Sequence, residues 1–593
     1  MCRPQRGVFA VVNRGLPGSA FMSNTLLKAA GFFRRLPDNT RTILVTSILS
    51  LAAAGLAVAF LFLTNTLFSA TYGWFARQSK VFFLVASFIT ITTTSLVVGL
   101  LLNRLSPDAA GSGIPQLKAA YWKDLGHVPI RPVIVKFVAG VLSIGGGTSL
   151  GREGPTVFMG GGLSSWLSGF MGSSKRERRN PSLIGASAGL AAAFNTPLAA
   201  MTFVLEEIVG DISSRSIGRV LLSSVIGAFT VYALIGRQPS FQVPSLDQVS
   251  WIHYAIAPVV ALAAALLGIV FHRQTLAWRR RIKSQTRLPK WLLPVIGGLI
   301  TWCIGATVFI ATGKLGVFGL GYQDLSSVLK NDYLWWIAGV MVIGKLLATI
   351  ASYSFGGCGG IFSPLLFIGG LSGYFIGSVF SLWLPLTPSD LIVLSAVGMS
   401  TCLGTVVKAP LSALLIVFEM THQFAMVPAL LIGMFVSMAV SRLSGSANFY
   451  DAILVQDGNE LHKIRPPLDL TGWQKLPVSA IATRNPVVIT SIDRKSLTAA
   501  IDRYPYACFP LVLDGKLQGV LSREAILEAL SARAEPEALP AVVCGPDQPV
   551  HEAAERFICS TLGFIVIVDD STGKVSGILT LHDVLRAQAA VTE

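Results

Sequence analysis

An acid stands in this chain where apolar sequence surrounds it. Glu153 lies in Gly151-Arg152-Glu153-Gly154-Pro155, and the apolar run resumes at once with Thr156-Val157-Phe158-Met159-Gly160-Gly161. Pro155 suits the first turn of a helix, where its missing N–H costs nothing. A helix that begins inside a bilayer aims unpaired N–H groups and the positive end of its dipole at the midplane, which makes a site for an anion. Glu153 stands at that mouth. A carboxylate there competes for the same N–H groups as a permeant anion, and protonation removes the competition. One residue can thus close an anion path and carry a proton. A plain helix cap would explain the acid but not the glycines and proline set around it.

The same frame occurs twice. Gly360-Ile361-Phe362-Ser363-Pro364-Leu365-Leu366-Phe367-Ile368-Gly369-Gly370 repeats Gly-x-x-x-Pro-x-x-Phe-x-Gly-Gly without a gap. Lys136 lies fifteen residues before Gly151, and Lys345 fifteen before Gly360. Gly111-Ser112-Gly113 has its counterpart in Gly319-Leu320-Gly321. Glu206 is nine residues after Pro197, as Glu419 is after Pro410, so these two acids share a packing or capping role. Glu207 aligns with Met420 and has no counterpart. An intramembrane acid outside the repeated framework is a functional candidate, and the basic residues Arg215 and Arg219 place it near the cytoplasmic end of its helix. Two repeats whose broken helices meet at one central site are the arrangement of a transporter.

Composition supports a membrane location. Of 593 residues, 52% are hydrophobic and only 13% are charged. The runs Ile43 to Phe68 and Val81 to Leu102 are long enough to span. Pro115, Pro132, Pro155, Pro181, Pro197, Pro364 and Pro410 sit at or near the starts of apolar segments, so several helices stop in mid-membrane. The net charge of +16 is unevenly spread: residues 456 to 593 carry −4 and the preceding part +20. The excess sits in short loops, among them Lys175-Arg176-Glu177-Arg178-Arg179 and Arg279-Arg280-Arg281-Ile282-Lys283. That pattern orients a membrane protein with these loops in the cytoplasm and argues against a nucleic-acid partner. The seven cysteines are scattered with no C-x-x-C pair and imply neither a disulfide framework nor a metal site.

Five segments follow from the pattern. Residues 1–40 form a basic cytoplasmic lead, 41–456 the transmembrane domain and 457–475 a polar linker containing Pro466-Pro467. Two similar modules, 476–534 and 535–593, complete the chain. The first runs through Phe509-Pro510-Leu511-Val512-Leu513-Asp514 to Gly519-Val520-Leu521-Ser522, the second through Phe564-Ile565-Val566-Ile567-Val568-Asp569 to Gly577-Ile578-Leu579-Thr580. Each reads as strand, turn, strand and then helix, over Glu524 to Ser531 and His582 to Ala590.

With Gly111-Ser112-Gly113-Ile114-Pro115, Gly151-Arg152-Glu153-Gly154-Pro155 and Gly360-Ile361-Phe362-Ser363-Pro364 in this order, residues 40 to 456 closely resemble the CLC family of chloride channels and chloride/proton exchangers. Tyr450 matches the family's fourth filter element, and the tail resembles a pair of CBS modules. The resemblance implies a mainly α fold of two inverted-topology repeats with an appended α/β CBS pair. It also implies a homodimer in the cell (inner or plasma) membrane, each subunit with its own anion path. Ser112, Tyr450, Ile361 and Phe362 would line the anion site, supported by Gly111, Gly113, Ile114, Pro115, Arg152, Gly154 and Gly360. Hydroxyl and N–H donors suit chloride, because a full positive charge would hold it too tightly to pass on. Glu153 takes the role of gating glutamate, and Glu207 that of internal proton acceptor, a residue that exchangers carry and channels typically lack. Chloride/proton antiport is therefore favoured over a passive voltage- or pH-gated chloride channel.

Other chemistries fit less well. Gly185-Ala186-Ser187-Ala188-Gly189 matches G-x-S-x-G, the mark of a serine hydrolase, but Gly398 and Ser400 recur at the equivalent repeat positions, as close helix packing requires. No enzyme is expected. A divalent-cation transporter would need clustered intramembrane carboxylates, and the filter motifs offer donors instead. CBS pairs bind adenine nucleotides through a Ser or Thr and an Asp three residues on, a spacing found at Thr580 and Asp583; the first module has Ser522 with Ala525, beside Glu524. A nucleotide at the second module is thus the only cofactor in view, and no cofactor is required for transport.

Overall fold

The computed structural model describes residues 37–584, apart from 175–176, 212–215, 237–240, 242, 245, 247–249, 286–287, 460–476, 485, 558–562 and 570–571. Most of the basic lead, Lys175, Arg176 and Arg215, most of the polar linker, the last helix beyond Val584, and Cys2 and Cys559 lie outside the described residues. The chain divides into two units, residues 1–464 and 465–593.

The first unit contains two successive runs of eight helices among the described residues. The first run is α1 (Asp38–Phe68), α2 (Lys80–Arg104), α3 (Ile114–Lys123), α4 (Ile130–Gly145), α5 (Glu153–Phe170), α6 (Arg179–Phe194), α7 (Pro197–Phe203) and α8 (Ile217–Leu234). The second is α9 (Ile252–Ser284), α10 (Leu293–Thr312), α11 (Tyr322–Leu329), α12 (Trp335–Ser354), α13 (Phe362–Phe380), α14 (Pro388–Val407), α15 (Pro410–Thr421) and α16 (Val427–Leu443). Each helix of the second run starts 205–214 residues after its counterpart. A short helix, α17 (Phe449–Gln456), follows with no counterpart among the described residues. Nine helices among the described residues are long and apolar enough to cross a membrane. All seven prolines noted above fall within the first three residues of a helix, where no intrahelical donor is lost.

The halves meet at equivalent backbone positions. The Gly151 N–H donates to Gly360 O at 2.7 Å, and the Gly360 N–H returns the bond to Gly151 O at 2.6 Å. Two equivalent residues that exchange hydrogen bonds in antiparallel fashion define a local two-fold axis, and α5 and α13 start on either side of it. Packing repeats the symmetry. A Cβ on Gly160 would lie 2.2 Å from Gly185 O, and one on Gly369 would lie 2.2 Å from Gly398 O. These glycines let α5 cross α6, and α13 cross α14, at backbone contact. In the G-x-S-x-G stretch, the buried Ser187 hydroxyl donates to Val220 O at 3.1 Å, which makes it a packing element. Every residue of α14 from Asp390 to Val407 is buried, as befits a helix enclosed by others.

The two acids paired by the repeat cap each other's half. Glu419 accepts from the N–H groups of Leu198 (3.0 Å) and Ala199 (2.7 Å) at the start of α7. Glu206 accepts from the Ser412 N–H at 3.0 Å and its hydroxyl at 2.6 Å at the start of α15. Carboxylates at helix N-termini satisfy orphan donors and complement the dipole.

The second unit is α/β. Its strands are β1 (Thr483–Arg484), β2 (Cys508–Leu513), β3 (Lys516–Ser522), β4 (Val543–Cys544), β5 (Phe564–Val568) and β6 (Val575–Thr580). Sheet order is β1-β6-β5-β4, with β2-β3 a separate hairpin closed by Asp514-Gly515, both at positive φ as a tight hairpin turn requires. The modules interlock across the 534/535 boundary read from the sequence. Strand β1 and the buried Val478 belong to the second module's sheet and core, while Leu539 pairs with Val520 of the first.

Gly369→Val places a branched side chain in the Gly398 carbonyl. It is expected to abolish the monodisperse peak in detergent size-exclusion chromatography, whereas Gly55→Ala, with nothing within 4 Å, leaves it unchanged. A wild-type profile for Gly369→Val would show that this crossing tolerates separation.

Candidate functional site

Glu153 is the first residue of α5, yet its side chain turns to the other half. Its carboxylate accepts hydrogen bonds from the Tyr322 hydroxyl at 2.8 Å, the Ser363 hydroxyl, and the Ser363 N–H at 3.4 Å. The acid is fully buried. It therefore caps α13 rather than its own helix, and takes donors at that helix start. Arg152 lies over the Tyr322 ring at 5.1 Å and donates to Ala193 O at 3.2 Å. Both Arg152 and Tyr322 line a cavity of about 1000 Å³ together with Asn195 and Gln323.

Ser112, Ile361, Phe362 and Tyr450 come together from three places in the chain. Ser112 precedes α3, Ile361 and Phe362 open α13, and Tyr450 lies in the first turn of α17. All four are buried. The hydroxyls of Ser112 and Tyr450 have no hydrogen-bond partner among the described residues. The Phe362 and Tyr450 rings lie 6.5 Å apart. At the start of α17 the Asn448 side chain accepts from the Tyr450 N–H at 2.8 Å, which fixes where the tyrosine enters. A Cβ on Gly154 would lie 2.1 Å from Ser112 Oγ, and one on Gly360 3.0 Å from Gly154 N, so Ser112, like Tyr450, lies near the start of α13.

The loop bearing Ser112 is stitched to the opposite half. The Gly111 N–H donates to Gly357 O at 3.1 Å, and its carbonyl accepts from the Gly359 N–H at 3.2 Å and from Lys136 Nζ at 2.9 Å. Lys345, the counterpart of Lys136, donates to the carbonyls of Gly316 (3.0 Å), Val317 (3.4 Å) and Gly319 (2.7 Å). Both lysines are fully buried, and each ammonium lies 5.3 Å from an aromatic ring, Phe158 or Phe367. They hold together the carbonyls that the broken helices leave unpaired.

Glu207 lies in a π-helical turn, Val204–Val209, that continues α7. Such turns recur at functional positions and here aim consecutive acids at different partners. Glu206 caps α15, and Glu207 accepts from Lys118 Nζ at 2.8 Å and from Asn448 Nδ2 at 2.6 Å. Its side chain is only 2% exposed, so it is not a solvated acid at a helix end. Lys118 and Asn448 were not evident from the sequence motifs. A signal existed, because Lys118 aligns with Ser326 and, like Glu207, has no charged counterpart in the second half.

In the second unit Thr580 and Asp583 are spent on each other. The Thr580 hydroxyl and N–H donate to the Asp583 carboxylate at 2.7 and 3.0 Å, and the Asp583 N–H returns a bond to the hydroxyl at 3.2 Å. Asp583 also accepts from Thr483 at 3.4 Å and is buried. Ser522 of the first module accepts from the Ala525 N–H at 3.1 Å as a simple cap. Among the described residues no group of three or more His, Cys, Asp or Glu could hold a metal ion.

A family model described as voltage gated chloride channel matches residues 94–442, and one described as CBS domain matches residues 538–590. The chain belongs to the CLC family. The H(+)/Cl(-) exchange transporter ClcA of Vibrio campbellii is 30% identical over 363 residues, which cover 60% of this chain and 76% of that protein. The fold is shared with a slow cyanobacterial Cl-/H+ antiporter (TM-score 0.63, 23% identity, 70% of this chain and 97% of that one). It is also shared with a eukaryotic CLC transporter (TM-score 0.58, 18% identity, 92% of this chain and 98% of that one). This CLC protein is an integral multi-pass membrane protein with a CBS domain in its C-terminal unit.

The two buried lysines differ in how many carbonyls they satisfy, and each orphaned carbonyl costs about 1–3 kcal/mol. Lys345→Met is therefore expected to lower the thermal midpoint of the detergent-solubilised protein more than Lys136→Met. Equal losses would mean that the extra contacts of Lys345 add nothing.

Proposed function

We propose that this CLC protein is a secondary active antiporter that moves chloride across the membrane in exchange for protons. The observation that carries the reading is the seat of Glu153. An anionic side chain, held by N–H and O–H donors at the start of α13, occupies groups that a permeant anion would use. In this reading chloride is held by the hydroxyls of Ser112 and Tyr450 and by the N–H groups of Ile361 and Phe362. Gly111, Gly113, Ile114, Pro115, Arg152, Gly154 and Gly360 shape the loops that present them. Protonation of Glu153 releases its donors to chloride, and the proton leaves or arrives through Glu207. Relatives that exchange the same two ions support the assignment. Such a protein is a transporter and not an enzyme.

Orientation follows from the charged loops. Lys123 reaches Asn459 at 2.7 Å, Arg279 reaches Asp457 at 2.7 Å, and Arg179 donates to Tyr121 O at 3.0 Å, so the basic residues gather at the end of the membrane unit where α17 finishes. We assign that end, with the N-terminus and the two modules 476–534 and 535–593, to the cytoplasmic side of the cell (inner or plasma) membrane. A homodimer with one anion path per subunit belongs to the same reading. An adenine nucleotide at Thr580 and Asp583 is the finer reading of the tail, and binding there requires Asp583 to leave its reciprocal bonds with Thr580.

The test is proton movement in sealed liposomes driven only by a chloride gradient. Wild type is expected to pump protons uphill, and Glu207→Ala to lose that pumping while chloride still passes. Glu153→Gln is expected to lose proton coupling and pH dependence together. Chloride flux without proton movement in wild type would make the protein a channel.

Tyr322→Phe removes one donor from the Glu153 seat, worth about 1.5–3 kcal/mol for a charged acceptor. Chloride then displaces the carboxylate more readily from the Ser363 donors, which adjoin Ile361 and Phe362, and calorimetry is expected to show binding tightened about tenfold or more. Unchanged chloride affinity would separate the carboxylate seat from the anion site.

A further inference from the structure

Lys118 does not serve Glu207 alone. Its ammonium lies 2.8 Å from Glu207 Oε1 and 2.7 Å from Asp451 Oδ1, so one cation bridges two carboxylates. The three side chains differ in access: Lys118 is 4% exposed and Glu207 2%, whereas Asp451 is 42% exposed. Asn448 completes the set by donating to Glu207 Oε2. Lys118 comes from α3, Glu207 from the turn after α7, and Asn448 and Asp451 from the start of α17. Lys118 and Asp451 are the charged groups that act on Glu207.

A buried acid paired with a single buried ammonium is a poor proton acceptor. Protonating it leaves the ammonium without a partner in a low-dielectric interior, one of the costliest arrangements a protein can hold. The ion pair would then lock the acid in its charged form. A second carboxylate on the same ammonium changes this, because the cation keeps a partner in either state. Asp451 can provide one at a smaller desolvation cost than a wholly buried acid, because its Oδ1 against Lys118 is buried while the side chain as a whole is 42% exposed.

We propose that Asp451 is the counter-ion that lets Glu207 take up and release its proton, by keeping Lys118 paired while Glu207 is neutral. A proton from cytoplasmic water adds to a Glu207 carboxylate oxygen and forms its O–H. Lys118 stays an ammonium and Asp451 a carboxylate throughout, so the cluster passes from one net negative charge to none. Asp451 is a positioning residue that acts through Lys118 and does not itself touch chloride. The inference rests on Glu207 being the internal proton acceptor.

Asp451→Asn, Asp451→Glu, Lys118→Met with Asp451→Asn, and Glu207→Ala are compared with wild type in the full chain in liposomes, with proton and chloride fluxes measured together. Asp451→Asn leaves Lys118 with Glu207 as its only anionic partner, and the proton-to-chloride ratio is expected to fall at least tenfold. Asp451→Glu keeps the charge and is expected to keep the ratio. The double variant removes lock and counter-ion together and is expected to recover most of the ratio, which a purely structural defect at Asp451 would not do. A wild-type ratio in Asp451→Asn, or a double variant as uncoupled as the single one, overturns the inference. If Glu207→Ala itself pumps protons normally, the underlying assignment of Glu207 fails instead; if Glu207→Ala is uncoupled while Asp451→Asn is not, the counter-ion role alone is wrong.

Discussion

Backbone that leaves helical geometry inside a bilayer must find its hydrogen bonds within the protein. Here that constraint is met first by the exchange between Gly151 and Gly360, and the rest of the membrane unit follows from it. The exchange allows two helices to start in mid-membrane face to face. Their first N–H groups, unpaired within the helix, then give a positive potential at the two starts. The buried lysines 136 and 345 absorb the loose carbonyls on either side, and Glu206 and Glu419 close the starts of α7 and α15. Each device occurs twice, once on each side of the local axis.

The candidate site is asymmetric because the symmetry stops at certain side chains. Glu153 is equivalent to Phe362, so one half supplies an acid and the other an unshielded helix start. Gly154 is equivalent to Ser363, whose hydroxyl and N–H receive that acid. Glu207 and Lys118 stand opposite Met420 and Ser326, and α17 with Tyr450 and Asp451 has no twin among the described residues. The backbone framework is shared by the halves, and the chemistry lies in the differences between them.

Much of this was legible in the sequence. The two Gly-x-x-x-Pro frames, the paired lysines and the paired acids are features of spacing, and spacing survives as geometry once both halves fold alike. The seat of Glu153 on the opposite helix was not legible, because its donors, Tyr322 and Ser363, are far away in sequence and become neighbours only through the two-fold axis. The bridging role of Lys118 escaped for the same reason, with Asp451 more than three hundred residues distant. In the tail, the Thr580 and Asp583 spacing suits a capping box as well as a ribose site, and the hydrogen bonds are those of a capping box. The interlock of the modules was hidden because β1 is only two residues long.

The crossed caps also bear on how the chain is made. Leu198 and Glu419 are 221 residues apart, so the start of α7 enters the membrane long before its cap exists. At a synthesis rate of about 5–20 residues per second the wait is roughly 10–40 s. During that interval the first half holds unpaired N–H groups that neighbouring segments, lipid headgroups or water must accommodate. Neither half is a finished folding unit, and biogenesis ends only when the second repeat closes the first.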